Sequence, residues 1–155
     1  MANKYPDKHF NEQYMIKELA RHEDNIRIAL RKHGKLVTDK LTRTIKNSRG
    51  RGVKYPNLPN RSSAPNDKPV SQSGKLEKSF HYRSRKNELL IYNDARSDKG
   101  APYPAFLNQG TKKMAPRQYF DNTIKSAAVF LENDLASIER PNKRFIDKVI
   151  DMFKR

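Results

Sequence analysis

Four of the nine prolines fall between residues 47 and 73, and this stretch divides the chain in two. They are Pro56, Pro59, Pro65 and Pro69, with Gly, Ser and Asn residues between them. Proline donates no backbone hydrogen bond and its ring clashes with a helical backbone, so this spacing leaves no room for a regular element. We therefore predict one long loop over residues 47–73, within a domain whose core comes from the segments on either side.

A long amphipathic helix is predicted before the loop, from Asn11 to Lys46. Apolar residues recur along this segment at the 3.6-residue spacing of one buried helix face. They are Met15, Leu19, Ile26, Leu30, Val37, Leu41 and Ile45. Gly34 lies within the pattern and costs about 1 kcal/mol relative to Ala. We expect a single helix with its weakest point at Gly34.

The clearest pattern after the loop is a β-hairpin. Residues 73–79 suit one helical turn. Residues 80–85 then alternate in polarity, and residues 88–93 are apolar and favour a strand. Lys86 and Asn87 between them predict the turn of an antiparallel hairpin.

Two further helices are predicted downstream. The segment Tyr103–Gln109 is short and amphipathic and ends at Gly110, and Pro116 precedes a longer helix over Gln118–Glu139. Proline is favoured near a helix start and glycine just beyond a helix end. The buried face of the longer helix is expected to contain Phe120, Ile124, Ala127, Ala128, Leu131 and Leu135.

These elements predict an α+β fold, in which the long N-terminal helix and the C-terminal helices pack on a small antiparallel β-sheet. Residues 1–139 form a single domain, with residues 47–73 as an extended basic loop. Pro141 separates a last amphipathic helix over residues 140–155. Its apolar side is expected to contain Phe145, Ile146, Val149, Ile150 and Phe153.

Positive charge is concentrated around the loop. The chain has 33 Lys and Arg against 17 Asp and Glu, a formal charge of +16. The segment Lys40–Lys86 alone holds 13 bases against Asp67 and Glu77. Such an excess calls for nucleic acid, an acidic protein surface or a membrane surface as a partner. A mobile arm that contacts phosphates is one interpretation, and a solvated loop without a partner is the other. The arm residues are Arg43, Lys46, Arg49, Arg51, Lys54 and Arg61.

Several classes of site are not expected. The sequence contains no run of about 18 apolar residues that would predict a membrane span, and no secretory signal is recognised. We therefore expect a cytosol-like compartment. The sequence has no cysteine, which excludes disulfides and thiolate chemistry. His22 and His33 would lie about 16 Å apart on one helix, too far for one metal ion. Asp94 and Asp98 are typical turn residues. We therefore predict no enzyme activity, metal or cofactor.

Two stretches after the loop are more specific. The first stretch precedes the hairpin, and residues 73–80 read Ser-Gly-Lys-Leu-Glu-Lys-Ser-Phe. The second stretch follows the hairpin in two parts. Residues 103–111 read Tyr-Pro-Ala-Phe-Leu-Asn-Gln-Gly-Thr, and residues 114–120 read Met-Ala-Pro-Arg-Gln-Tyr-Phe. In order and spacing they resemble the tailed-bacteriophage tail-completion family, of the tail-component type related to minor tail protein Z. The resemblance covers roughly residues 11–139.

The motif residues are candidates for subunit contacts. They are Gly74, Leu76, Tyr103, Phe106, Gly110, Thr111, Met114, Pro116, Arg117 and Phe120. From the residues themselves we expect Gly110 to adopt a positive φ and the aromatic side chains to pack inward. The sequence departs from the family at Ser73, at residues 118–120 and at Asn108, where the family has an acid. An ion pair between subunits through residue 108 is therefore not carried over.

The resemblance implies a non-enzymatic structural protein of the virion neck. Copies would form a homo-oligomeric ring that completes the tail and joins it to the head around the DNA channel. The partners would be neighbouring neck and tail proteins (an adaptor or stopper, a tail terminator or the tail tube) and double-stranded DNA. The protein would occur in the virion and, during assembly, in the host cytoplasm. The alternative is a stand-alone protein that binds nucleic acid without sequence preference.

Overall fold

The computed structural model describes residues 8–117 and 119–139. The elements in them are helix α1 (Lys8–Lys46), helix α2 (Lys75–Lys78), strands β1 (Phe80–Arg85) and β2 (Glu88–Asn93), helix α3 (Tyr103–Gln109) and helix α4 (Tyr119–Glu139). The predicted α+β fold is confirmed, with helices packed on a small antiparallel hairpin. The amphipathic helix predicted for residues 140–155 lies outside the described residues.

Helix α1 supplies one wall of the core through its predicted apolar face. Leu41 and Ile45 are fully buried, and Leu30 and Val37 nearly so. Ile26 is half-buried, and the side chains of Met15 and Leu19 lie outside the described part. The helix starts at Lys8, three residues earlier than predicted. Its buried stripe fixes which side of α1 faces the rest of the domain.

Gly34 is a point of close contact. A Cβ atom at this position would lie 2.4 Å from Cδ2 and 2.7 Å from Cγ of Tyr82 on β1. Helix α1 continues through Gly34. The glycine expected to weaken the helix therefore lets the hairpin approach its backbone.

The hairpin has the predicted strand limits and turn. Phe80 pairs with Asn93, Tyr82 with Ile91, and Ser84 with Leu89 in an antiparallel register. Strand residues alternate between the faces of a sheet, and the face that contains Phe80 and Ile91 packs against the core.

The core lies between α1, the hairpin and the start of α4. The rings of Phe80 and Tyr119 meet edge to face, with centroids 6.3 Å apart. Burial raises the pKa of the Tyr119 hydroxyl, so this side chain is neutral at physiological pH. The largest cluster of buried side chains described contains Val37, Leu41, Ile45, Leu76, Phe80, Tyr119 and Ala127.

Asn108 connects α3 to the beginning of α4. Its Oδ1 accepts a hydrogen bond from the Phe120 backbone N–H at 3.2 Å, and its Nδ2 donates to Asp121 Oδ2 at 2.9 Å. Gly110 ends α3 with φ 80°, as predicted, and its N–H donates to Phe106 O. The two hydrogen bonds of Asn108 therefore hold the end of α3 against the beginning of α4.

Candidate nucleic-acid interface

The basic loop contains no helix or strand, as predicted, but it folds back on itself and is not an extended arm. The N–H of Gly52 donates to Ser62 O at 2.8 Å, and the N–H of Ser62 donates to Val53 O at 2.9 Å. The two limbs are so close that a Cβ at Gly50 would lie 2.0 Å from Arg61 O. Glycine, which has no side chain, permits this approach.

Arg117 anchors the base of the loop. Its Nε donates to Ser63 Oγ at 3.0 Å, its Nη2 to Ser63 O at 3.2 Å, and its Nη1 to Ala115 O at 3.3 Å. The residue is only 8% exposed. A predicted subunit-contact residue thus joins two segments of its own chain.

An open groove of about 850 Å³ lies between α1 and the loop. Basic side chains from both segments line it: Lys40 and Arg43 from α1, and Arg49, Arg51 and Lys68 from the loop. The remaining lining residues are Leu36, Asp39, Thr44, Asn47, Ser48, Asn66 and Asp67. Five bases against two acids make the groove positive, and we call it the basic groove.

One of the five cations in the basic groove is neutralised within the chain. Arg51 Nε donates to Asp67 Oδ2 at 3.0 Å, and Arg51 Nη2 makes a second contact with the same carboxylate. The hydrogen bond from Arg51 lowers the pKa of the Asp67 carboxyl. Among the described residues, the other four basic side chains of the groove form no ion pair. They are Lys40, Arg43, Arg49 and Lys68.

The fold brings together three of the six predicted arm residues, Arg43, Arg49 and Arg51. Lys46 is exposed in the last turn of α1 and does not line the groove.

The remaining two arm residues bond to the loop itself. Lys54 Nζ donates to Leu58 O at 2.5 Å and to Pro59 O at 2.8 Å. Arg61 Nη1 donates to Gly52 O at 3.3 Å.

Lys40 and Lys68 belong to the basic groove but were not among the predicted site residues. Lys40 precedes Arg43 by three residues, a spacing that places both on one helix face, so the sequence held a signal for it. No local signal marks Lys68, because its position depends on the path of the loop.

A second concave surface, of about 550 Å³, lies between the loop and the motif segments. Tyr55 and Leu58 of the loop face it together with predicted motif residues. These motif residues are Gly74, Leu76, Tyr103, Met114 and Arg117. Partial burial raises the pKa of the Tyr103 hydroxyl.

The other motif residues have separate positions. Thr111 forms an isolated bridge with Met114, while Pro116 and Phe120 are half-buried. Phe106 is 46% exposed, so the expectation that it packs inward is wrong. It lies on the outer side of α3, since Tyr103 and Leu107 are the α3 side chains that reach the core.

Two aspartates in the segment between β2 and α3 have basic neighbours. Lys75 Nζ lies 2.7 Å from Asp98 Oδ1, and this hydrogen bond lowers the pKa of the Asp98 carboxyl. His81 Nε2 lies 3.3 Å from Asp94 Oδ1. Within residues 8–117 and 119–139, no group of three or more His, Cys, Asp or Glu is placed to hold a metal ion. Both aspartates contact side chains of the segment that leads into and forms β1.

No helix in the described part of the chain is long and apolar enough to cross a membrane. The chain matches no protein-family model, no curated protein and no solved structure.

Proposed function

We propose that this protein is a structural subunit of the tailed-bacteriophage neck, whose copies form a ring that completes the tail and joins it to the head around the DNA channel. The resemblance over residues 11–139 supports the class. The observation that carries the proposal is the basic groove, in which cations from α1 and from both ends of the loop meet on one open surface.

The basic groove suits contact with the phosphates of a double helix. Lysine and arginine neutralise backbone charge without reading base edges, so binding is independent of sequence and falls steeply with salt. With four cations that have no acidic partner, each subunit binds DNA weakly. A ring multiplies these contacts while each remains easy to exchange, which suits DNA that must pass through.

Exposed apolar side chains support an assembling subunit. Val53, Tyr55 and Leu58 are exposed where the loop turns, and Val129 and Phe130 are exposed on α4. Exposed apolar surface commonly marks a contact with another protein. In the proposed neck, its partners are neighbouring copies and the adjoining neck and tail proteins.

A salt titration of DNA binding tests the groove. Replacing Arg43 and Arg49 with Gln removes two unpaired groove cations, and Lys99→Gln with Lys112→Gln removes two exposed charges that do not line the groove. We expect the groove variant to lower the slope of log K against log salt by about 0.9 for each lost phosphate contact. The control should change it much less.

Equal slopes for the two variants would contradict a role for the groove. Sequence-selective binding that survives high salt would contradict the proposed sequence-independent contact. Electron microscopy of purified virions tests the neck assignment separately, because the proposal requires this chain as a ring between head and tail. Salt-sensitive DNA binding without such a ring would favour the stand-alone nucleic-acid-binding protein.

A further inference from the structure

A cavity of about 390 Å³ continues the basic groove toward the beginning of α4. It shares Lys40 and Lys68 with the groove and adds Arg117 and Asn122. Three cationic side chains, from α1, from the loop and from the residues before α4, therefore border one space.

Arg117 is the distinctive member of this cavity. Its guanidinium is buried, and its hydrogen-bond acceptors are the Ser63 hydroxyl and the carbonyls of Ser63 and Ala115. All three are neutral. A buried charge is costly unless an opposite charge compensates for it, yet no carboxylate in the described part of the chain forms an ion pair with Arg117.

Asp67 also lines the cavity, but it is a weak counter-charge for Arg117. Its carboxylate is held by Arg51 through two contacts, and the charge of Arg117 makes only a minor contribution to lowering the Asp67 pKa. The acid is thus largely matched by another arginine.

The two lysines add positive charge at the same place. Lys40 Nζ lies 3.4 Å from Ser126 Oγ, a neutral partner, and Lys68 is exposed. A planar guanidinium and flexible ammonium groups together suit a compact oxyanion with several acceptor oxygens. The side chains of Thr44 and Asn122 provide neutral polar groups in the lining.

We propose that this cavity binds one phosphate group, which acts as the counter-charge of Arg117 and is held by Lys40 and Lys68. The inference deepens the proposed function and depends on it for the source of the phosphate, which is the backbone of DNA lying in the adjoining basic groove. A free phosphate ion offers the same chemistry, so the experiment has an arm for each source.

The first arm measures thermal unfolding of the full chain in inorganic phosphate and in chloride at equal ionic strength. Lys40→Gln with Lys68→Gln removes the flexible cations and keeps Arg117, which also anchors the loop. Lys99→Gln with Lys112→Gln is the charge-matched control. For wild type and control we expect Tm to rise by about 3 to 6 °C at ten times the dissociation constant.

The cavity variant should show only the small general effect of phosphate on protein stability. An equal rise in Tm for wild type and the cavity variant would overturn the proposed site. So would a wild-type Tm that is the same in phosphate as in chloride.

The second arm identifies the source of the phosphate. With DNA bound to the wild type, added inorganic phosphate at constant ionic strength should weaken DNA binding several-fold, and it should have no effect on the cavity variant. If phosphate raises Tm through Lys40 and Lys68 but does not compete with DNA, the site is supported and its ligand is free phosphate. That result would overturn the assignment of the phosphate to the DNA backbone. Failure of the neck proposal would appear elsewhere, as virions without this ring.

Discussion

Asn108 shows how a single amide side chain joins two helices of the fold. The amide has both an acceptor and a donor, and the structure uses both: Oδ1 faces the Phe120 N–H, and Nδ2 faces the Asp121 carboxylate. A carboxylate at position 108 could accept the first hydrogen bond but would repel Asp121. The amide therefore suits this junction between α3 and α4.

Asn108→Asp should destabilise the fold at neutral pH. We expect a loss of roughly 1 to 2 kcal/mol, because a donor to a charged group is replaced by a second negative charge. The loss should shrink as the pH falls below about 4, where the carboxyls take up protons. Urea unfolding at several pH values measures this.

Asn108→Ala is the control for Asn108→Asp, because it removes both hydrogen bonds of the amide and adds no charge. Its loss of stability should change less with pH. If the loss of stability in Asn108→Asp changes with pH no more than the loss in Asn108→Ala, charge repulsion is not the cause.

The contact between His33 and Asp134 makes the packing of α1 on α4 sensitive to acid. His33 is buried, and its Nε2 lies 2.9 Å from Asp134 Oδ2. This hydrogen bond lowers the pKa of the Asp134 carboxyl, and the charge of Lys32 also lowers it. The ionised carboxylate is therefore favoured in the folded state. Its contribution is complete above the ordinary aspartate pKa of about 3.9 and is lost as the pH falls through the lower folded value.

Asp134→Asn should accordingly be less stable than wild type near neutral pH, and the difference should close as the pH falls below about 4. Asp39→Asn, an exposed change on α1, controls for the loss of one negative charge. Free energies of unfolding across this pH range measure both variants. A difference for Asp134→Asn that stays constant across the range would contradict this assignment.

At the scale of elements, Gly34 determines how closely the hairpin packs on α1. Helix propensity alone would make Gly34→Ala stabilising by about 1 kcal/mol. The new methyl group would instead overlap the Tyr82 ring, with carbon atoms 2.4 and 2.7 Å away. We therefore expect Gly34→Ala to lower Tm.

A double-mutant cycle separates the two effects at Gly34. In a Tyr82→Ala background the overlap with the ring is absent and only Leu89 Cδ1, 2.9 Å from the new Cβ, still has to shift. Gly34→Ala should therefore be clearly less destabilising in that background than in the wild type. A stabilising effect of Gly34→Ala in the wild-type background would show that the hairpin does not constrain this position.

The loop shows the limit of sequence analysis at the same scale. Its four prolines predict the absence of helix and strand, because that effect is local. Its path depends on Arg117, which binds Ser63 across 54 residues of chain. A long-range contact of this kind leaves no periodic pattern in the sequence, so the sequence alone does not mark Lys68 as a groove residue.

At the scale of the whole molecule, the α+β fold could be predicted because the spacing of apolar residues in each amphipathic segment indicates a helix or a strand. Leu41 and Ile45 were identified as core residues from helical spacing, and the hairpin from its turn. The basic groove combines α1 with both ends of the loop, so only part of it could be predicted. Lys54 and Arg61 share the charge pattern of Arg49 but bond to their own loop.

The folded-back loop has a consequence for motion through the proposed ring. Its limbs are already hydrogen-bonded to each other and fixed to Arg117 in the single subunit. DNA would therefore meet a preformed surface at every copy, and no loop would have to fold and unfold as a phosphate arrives and leaves. The binding free energy of DNA would therefore be small and the same at every copy. Resistance to movement of the DNA would then depend on how fast counterions and protein cations exchange at the phosphates.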